Sequence, residues 1–477
     1  MALFTPSLRA AAIRVRVDVT ALLDLRNAEL DSQGDEELSD GEFETVEYVP
    51  PPPPHSPPTL PVVTPAPSPL STGPPPPPPC PVAPPPFPGH AVSPPSAATL
   101  VPSSPGHTYA NARQRDSHRR RKRKREHDKS AGQEGNRAIH KRHRANALAN
   151  TVQVEYDCAK LPVDQSGFGG RLQRLASDRR TADVLCAQPG WRYLKHEVGG
   201  PSTPIVDING RLMVLVASHP RELRKWQSTV MLPLENDIID GASKITFTNK
   251  QLNHDRGGFP ALAIGVSYGG GETTPLNRSL SNRTAKVMNA LIGSEHMKRA
   301  SGYMNQLLKT YNPLMYEEYH KHQTILHKRC PYLRKNFTNS VWSSLTVNFG
   351  PQTVTRPHVD ARNRPDGWCP ILAGGNFDFR RGGQLVLPDL KLVIEFAPGC
   401  VIFLPSALLI HYNCPIQAGE TRYSITQYTA GGLVRWVSNG FQGQKAMLRE
   451  RGLSDEEWGA KCQQRRVDSL RFFPVIV

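Results

Sequence analysis

Gln384-Leu-Val-Leu-Pro-Asp-Leu-Lys-Leu-Val-Ile-Glu-Phe-Ala-Pro-Gly-Cys-Val-Ile-Phe-Leu404 sets three short apolar runs end to end, separated by Pro388-Asp389 and Pro398-Gly399. The runs are too short for helices, rich in β-branched and aromatic residues, and bounded by turn formers, so they read as strands. Working upstream, Leu345-Thr-Val-Asn-Phe349 before Gly350 reads the same way. Many short strands joined by Gly/Pro turns predict a sandwich or jelly roll. Asn209-Gly210, between Pro204-Ile-Val-Asp-Ile208 and Arg211-Leu-Met-Val-Leu-Val216, predicts a hairpin. Ala261–Tyr268 predicts a further strand ending in the glycines 269–271. Between these β segments the period changes. Val287, Leu291, Met304, Leu307, Leu308 and Tyr311 recur at helical spacing over 281–311, and Pro313 suits the first turn of a second helix running to about His327. His320, His322 and His327 on that helix are expected to face solvent. Helices followed by strands make the class α+β, with helices buttressing one sheet.

The first third of the 477-residue chain has another character. Of its 46 prolines, 26 fall between Pro50 and Pro105, a density that leaves too little apolar surface to offset backbone ordering. An acidic stretch from Asp31 to Glu47 precedes this segment. A basic one follows it: 14 Lys/Arg against 4 Asp/Glu from Arg113 to Arg144 account for +10 of the formal charge of +16. Arg119–Arg125 and Lys141–Arg144 read as a charged spacer or as a nuclear import signal or nucleic-acid patch, and the second cluster favours a nuclear protein. The expected organisation is a disordered region over 1–147, one domain over 148–445 and a C-terminal extension over 446–477. The proline segment could recruit a proline-binding partner. No apolar run is long enough to span a membrane, and the first 25 residues lack the continuous apolar core of a secretory signal. None of the eight cysteines forms a Cys-x-x-Cys pair, so reduced thiols are expected rather than a disulfide framework or zinc knuckle.

Thr355-Arg-Pro-His358-Val-Asp360 places an imidazole and a carboxylate two residues apart, on one face of a strand. His411 follows after enough chain for several strands to bring it back. Two His and one carboxylate on one face of an octahedron leave three positions open, the pattern of non-haem Fe(II) oxygenases. Arg422 and Ser424 share a strand face beyond His411. A guanidinium plus a hydroxyl is what the distal carboxylate of 2-oxoglutarate needs. Tyr428 lies on that same face, to stack on a planar substrate or to pack in the core. The loop Arg362–Cys369 follows the metal motif directly, which makes Arg362, Arg364 and Trp368 candidates for substrate contact, a structural turn being the alternative.

From about Phe259 to Phe441 the chain resembles the TET/JBP oxygenases, in particular their expanded fungal branch. The resemblance is carried by His358-Val-Asp360-Ala-Arg-Asn363, Gly374-Gly-Asn376-Phe-Asp378, Gly382-Gly383, His411, and Arg422-Tyr-Ser424 through Tyr428. It implies a double-stranded β-helix in which His358, Asp360 and His411 ligate Fe(II), and Arg422 and Ser424 hold 2-oxoglutarate. It also implies that Asn363 hydrogen-bonds a flipped cytosine on which Tyr428 packs. The implied reaction uses O2 to oxidise the methyl group of 5-methylcytosine in DNA, by hydrogen abstraction and hydroxyl rebound. One departure is Ala430, where the family often carries a base-contacting His; the Cys-rich DNA-binding region of the animal members is also absent. The competing expectations are an oxygenase acting on RNA or protein side chains, and a catalytically inactive nuclear or transposon-associated binding protein of the same fold.

Overall fold

The computed structural model describes residues 143–476 apart from 173–178, 221 and 270. The acidic stretch, the proline segment, Arg119–Arg125 and the expected disorder up to residue 142 lie outside the described residues.

From Ser344 onward the chain alternates between two facing sheets, which is what makes a jelly roll. Ser344–Asn348, Cys369–Gly374, Val401–Leu404 and Tyr423–Tyr428 belong to a large sheet, adjacent in the order 401–404, 369–374, 423–428, 344–348. Tyr412–Asn413, Leu385–Leu387, Leu392–Ile394 and Arg192–Leu194, in that order, form a small sheet, extended by a bridge between His358 and His411. Pro398-Gly399 carries the chain from the small sheet to the large one, whereas Pro388-Asp389 joins two strands of the small sheet. The hairpin at Asn209-Gly210 joins Thr203–Val206 to Leu212–Ala217 and lengthens the large sheet beside 401–404. Ala261–Ser267 lengthens it at the other side, beside 344–348.

Period-two alternation decides which core each side chain enters. In Val401–Leu404, Val401 and Phe403 face the helices while Ile402 and Leu404 face the small sheet. In Ser344–Asn348, Leu345 and Val347 face the helices, leaving Thr346 and Asn348 turned inward. The helices Leu232–Ser243, Asn282–Gly293, Glu295–Tyr311 and Pro313–Arg329 cover that outer face through Leu234, Ile238, Met288, Met297, Met304, Leu308, Met315 and Tyr319. The single helical stretch expected over 281–311 is two helices. Ser294 ends the first and caps the second, its hydroxyl accepting from the Met297 amide. The next helix starts at Pro313, with the Asn312 side chain accepting from the Met315 amide.

Two boundaries differ from expectation. Residues 143–148 are helical, Ala147 is buried in the core, and Arg144 Nε donates to Thr310 O at 2.6 Å, so the folded unit begins before residue 148. The stretch drawn as an extension from 446 is part of the same core. Helix Asp455–Ser469 leads to buried Phe472 and Phe473, and Leu212 N donates to Pro474 O at 2.9 Å. Polar helix faces at 444–469 hide this from a composition reading. The seven described cysteines are free. No helix among the described residues is long and apolar enough to cross a membrane.

His322 is not solvent-facing but 5% exposed, its Nε2 against Leu433 O, and burial followed by Arg364 pushes it down to about 4. His196, beside His219, is pushed down to about 4 by burial and then by that neighbour. Both fall below their unfolded value near 6.5, so between those limits the unfolded chain binds more protons than the fold. The stability they contribute is present above pH 6.5 and is lost as pH falls toward 4, at up to about 1.4 kcal/mol per pH unit for each group. The urea midpoint of the metal-free protein is therefore expected to drop between pH 7 and pH 5. A flat midpoint would show these imidazoles to be solvated.

Candidate metal centre and its cavity

His358 and His411 are a cross-strand pair. His358 N donates to His411 O at 3.2 Å and His411 N to His358 O at 3.0 Å, which sets their rings side by side, tilted by 48° with centroids 4.2 Å apart. Asp360, two residues on, reaches the same spot: its carboxylate oxygens lie 4.0 Å from His358 Nε2 and 4.0 Å from His411 Nε2. Ligand atoms of all three lie within 4.8 Å of one another.

The tautomers follow from the partners. His358 Nδ1 sits 2.7 Å from Arg356 O and His411 Nδ1 sits 2.9 Å from Leu409 O. A carbonyl only accepts, so each Nδ1 carries a proton and each Nε2 is the ring atom left to face Asp360. This is the arrangement that orients imidazoles for a metal. Burial, then the neighbouring His411, drives His358 down to about 3, which keeps it neutral. Burial alone would push Asp360 up, but the groups around it, the Arg256 guanidinium among them, hold its carboxyl below the usual range. Two imidazole Nε2 atoms and a carboxylate converging on one spot are a donor set that suits a divalent cation.

The same three residues line a cleft together with Arg422, just before strand 423–428, and with Ser424 and Thr426 on that strand's inward face. Ile425, alternating with them, packs under the helices. Arg422 is 1% exposed. Its Nη1 donates to Thr353 O at 2.7 Å, its Nε has no partner among the described residues, and the rings of Phe396 and Phe377 lie 5.4 and 5.8 Å from it. Burial alone lowers it to about 10, with no carboxylate acting on it, so it is still a cation at neutral pH. A buried, charged, unpaired guanidinium is costly unless an anion joins it. Ser424 accepts from Asn348 Nδ2 at 2.8 Å, which leaves its own proton to donate into the cleft.

The remaining expected site residues fall elsewhere. Trp368 is fully buried, its ring 5.9 Å from Phe403 and its carbonyl accepting from Trp342 Nε1 at 2.9 Å; it is a core residue and not a substrate contact. Arg364 is a structural clasp, 6% exposed, bonded to Asp366 at 2.6 and 2.9 Å and set between the rings of Tyr319 and Phe472. Arg362 is exposed, and its carbonyl accepts from Gly431 N. Tyr428 is half-buried past Thr426 on the inward strand face, its hydroxyl 3.3 Å from Thr346 Oγ1. Asn363 is buried behind the metal motif, with its amide on Ser406 Oγ at 3.2 Å and no place in the cleft wall. Ala430 bridges Asn363 through its backbone and precedes helix Gly431–Ser438.

Arg256, Asn348, Thr355 and Asn413 also line the cleft and were not singled out from the sequence. Asn348 had a signal, being the polar alternate in an otherwise apolar strand. Arg256 lies in a loop roughly a hundred residues upstream of the motif, and nothing local marks it.

Strands of two facing sheets thus enclose a His-x-Asp…His set with a buried arginine on the same cavity. Among solved structures the chain is similar to NgTET1 in complex with 5mC DNA, at 13% identity over 52% of this chain and 87% of that one, TM-score 0.34. It is also similar to an oxidoreductase of the 2OG-Fe(II) oxygenase family from Burkholderia pseudomallei, at 16% identity over 41% and 77%, TM-score 0.25. A third is the viral collagen prolyl hydroxylase of Paramecium bursaria Chlorella virus-1, at 17% identity over 18% and 57%, TM-score 0.16. No family model and no curated protein matches the sequence.

Proposed function

We propose that this chain is an Fe(II)/2-oxoglutarate-dependent dioxygenase that oxidises the methyl group of 5-methylcytosine in DNA. The observation that carries the oxygenase reading is Arg422, a buried cation with no counter-charge among the described residues, opening on the same cleft as two imidazole Nε2 atoms and a carboxylate. His358, Asp360 and His411 hold the iron, and the small sheet that pairs the two histidines fixes the spacing. Arg422 and Ser424 take the distal carboxylate of 2-oxoglutarate, with Asn348 orienting the serine hydroxyl. Phe396, Leu385 and Ile371 supply the apolar wall that keeps water from the reacting face. With iron, 2-oxoglutarate and O2 bound, the centre supplies an oxidant able to hydroxylate a C–H bond, the cosubstrate leaving as succinate and CO2.

The substrate reading is supported by the resemblance to TET/JBP oxygenases and their expanded fungal branch, and by arginines near the cleft. Arg256 lines it, and Arg356, exposed, donates its backbone N–H to Arg256 O at 2.7 Å. Guanidinium groups there meet phosphates as a base is extruded from the stack. Nuclear location is proposed on the basic runs Arg119–Arg125 and Lys141–Arg144, and a proline-binding partner on the segment between Pro50 and Pro105.

The test is incubation of the full chain with Fe(II), ascorbate, 2-oxoglutarate and methylated duplex DNA, read by mass spectrometry of the nucleosides. Oxidised 5-methylcytosine with matching succinate is expected, and none from His358→Ala. Succinate released only with RNA or protein would replace the substrate while keeping the chemistry. No metal binding at all would leave an inactive binding protein of the same fold.

A further inference from the structure

We infer that the exposed face built from residues 276–278, 328–335 and helix Gly431–Ser438 seats the sugar-phosphate backbone of the nucleic acid whose base enters the cleft; this rests on the nucleic-acid reading of the substrate. Three stretches of the chain carry no acidic residue: 273–294, 319–359 and 421–449. The fold lays them side by side. Asn277 Nδ2 donates to Tyr332 O at 3.0 Å and Arg334 N donates to Asn277 Oδ1 at 2.8 Å, which fixes the first stretch to the second. The Arg329 guanidinium lies 5.7 Å from the Phe441 ring, and Phe441 packs edge-on against Trp436 at 5.2 Å, which brings in the third. Arg278, Lys328, Arg329, Arg334 and Lys335 are exposed, and none of them is in an ion pair among the described residues. Glu272 and Glu450 stand at the edges, the first engaged by Ser267 Oγ at 3.3 Å and the second by Gln442 Nε2. Lys328 and Arg329 complement the C-terminus of their own helix. Arg278, Arg334 and Lys335 have no such structural reason.

Cations gathered without counter-charge suit a polyanion, whose condensed counterions are released on binding. Tyr332, 52% exposed among them, adds a ring for a base or sugar to rest on. An acidic peptide matches the charge alone. The position of the face ties it to the cleft. Arg278 N donates to Gly265 O at 2.8 Å, Gly265 pairs with Ser344, and Ser344 pairs with Tyr428. Tyr428 ends the strand whose Ser424 lines the cleft, roughly 13 Å along it. Gly431 N donates to Arg362 O at 2.9 Å, so the helix on this face abuts the loop that leaves the metal motif. A base extruded toward the cleft leaves its flanking phosphates within reach of these cations.

The test is acetylation of the full chain by a lysine-selective reagent, read by mass spectrometry, without and with duplex DNA or an RNA hairpin. Lys328 and Lys335 are expected to be protected by nucleic acid, while the exposed Lys160 and Lys391 stay reactive. A second measurement is the salt dependence of affinity for duplex DNA, by fluorescence anisotropy. Each phosphate contact contributes about 0.9 to the slope of log affinity against log salt, so Arg334→Gln/Lys335→Gln is expected to flatten it by about 1.8. The control with the same loss of charge is Arg380→Gln/Arg381→Gln. That turn lies at the opposite end of strand 423–428, where Thr421 N donates to Asn376 O at 3.0 Å, and this pair is expected to keep the wild-type slope. Lys328 and Lys335 left unprotected, an unchanged slope in the first pair, or the same flattening in the control overturns the seat. Polyglutamate protecting the two lysines as well as DNA does overturns its assignment to nucleic acid. Protection by RNA alone supports the seat and moves the substrate to RNA. Oxidised 5-methylcytosine formed without protection overturns the seat and leaves the proposed reaction standing. Protection by DNA that is never oxidised supports the seat and removes that reaction.

Discussion

Arg422→Met is expected to make the ligand-free protein more stable and at the same time unable to hold 2-oxoglutarate. Arg422 is 1% exposed and carries its charge with one carbonyl and two aromatic rings for company. Replacing buried ionic groups by apolar ones of similar size is often neutral or stabilising by about 1–4 kcal/mol, and here there is no partner to strand. Met is an apolar side chain of similar length, and the substitution takes the donor away from the Thr353 carbonyl. Once a dicarboxylate is present the sign reverses. Truncating one side of a buried, hydrogen-bonded charge pair costs about 2–5 kcal/mol, or roughly 30- to several-thousand-fold in affinity. Thermal unfolding of both proteins with and without 2-oxoglutarate and Mn(II) reads both effects. A purely structural arginine would show the opposite, with a destabilised apo-protein and an unchanged response to ligand.

Trp368→Ala is expected to cost about 3–5 kcal/mol of stability, a large part of the roughly 5–15 kcal/mol that holds a domain together. The ring is fully buried beside Phe403 and below Trp342, so truncation leaves a cavity in the core between the large sheet and its helices. Arg362→Ala, six residues earlier and exposed, is expected to leave the unfolding midpoint within about half a kcal/mol of wild type. Urea unfolding of the two variants side by side separates core from surface in this loop. Equal, small effects would return Trp368 to the substrate side.

The contrast between those residues shows where the sequence was legible. Strand periodicity and Gly/Pro turns gave the two sheets, because alternation maps directly onto which face is buried. The triad and Arg422 were readable for a related reason. A His-x-Asp pair must share a face, and a polar row of Arg422, Ser424 and Thr426 inside an apolar strand must look onto something other than core. The loop after the motif was not readable. Its eight residues have no period, so Arg364 and Trp368 carry the same labels as substrate-binding side chains although Asp366 and Phe403 absorb them. Asn363 fits its motif but turns to Ser406, a partner more than forty residues away that no local pattern announces. Arg256 reaches the cleft through tertiary folding alone. The C-terminal helices looked detachable because they are charged, yet Phe472 and Phe473 anchor them.

The most direct measurement of the central claim is a calorimetric titration of 2-oxoglutarate into the Mn(II)-loaded protein under anaerobic conditions. One equivalent is expected to bind, with binding lost when Mn(II) is omitted, in His411→Ala and in Arg422→Met. Binding that persists in Arg422→Met, or no binding by the wild type, would contradict the assignment of this cleft to a metal and a dicarboxylate.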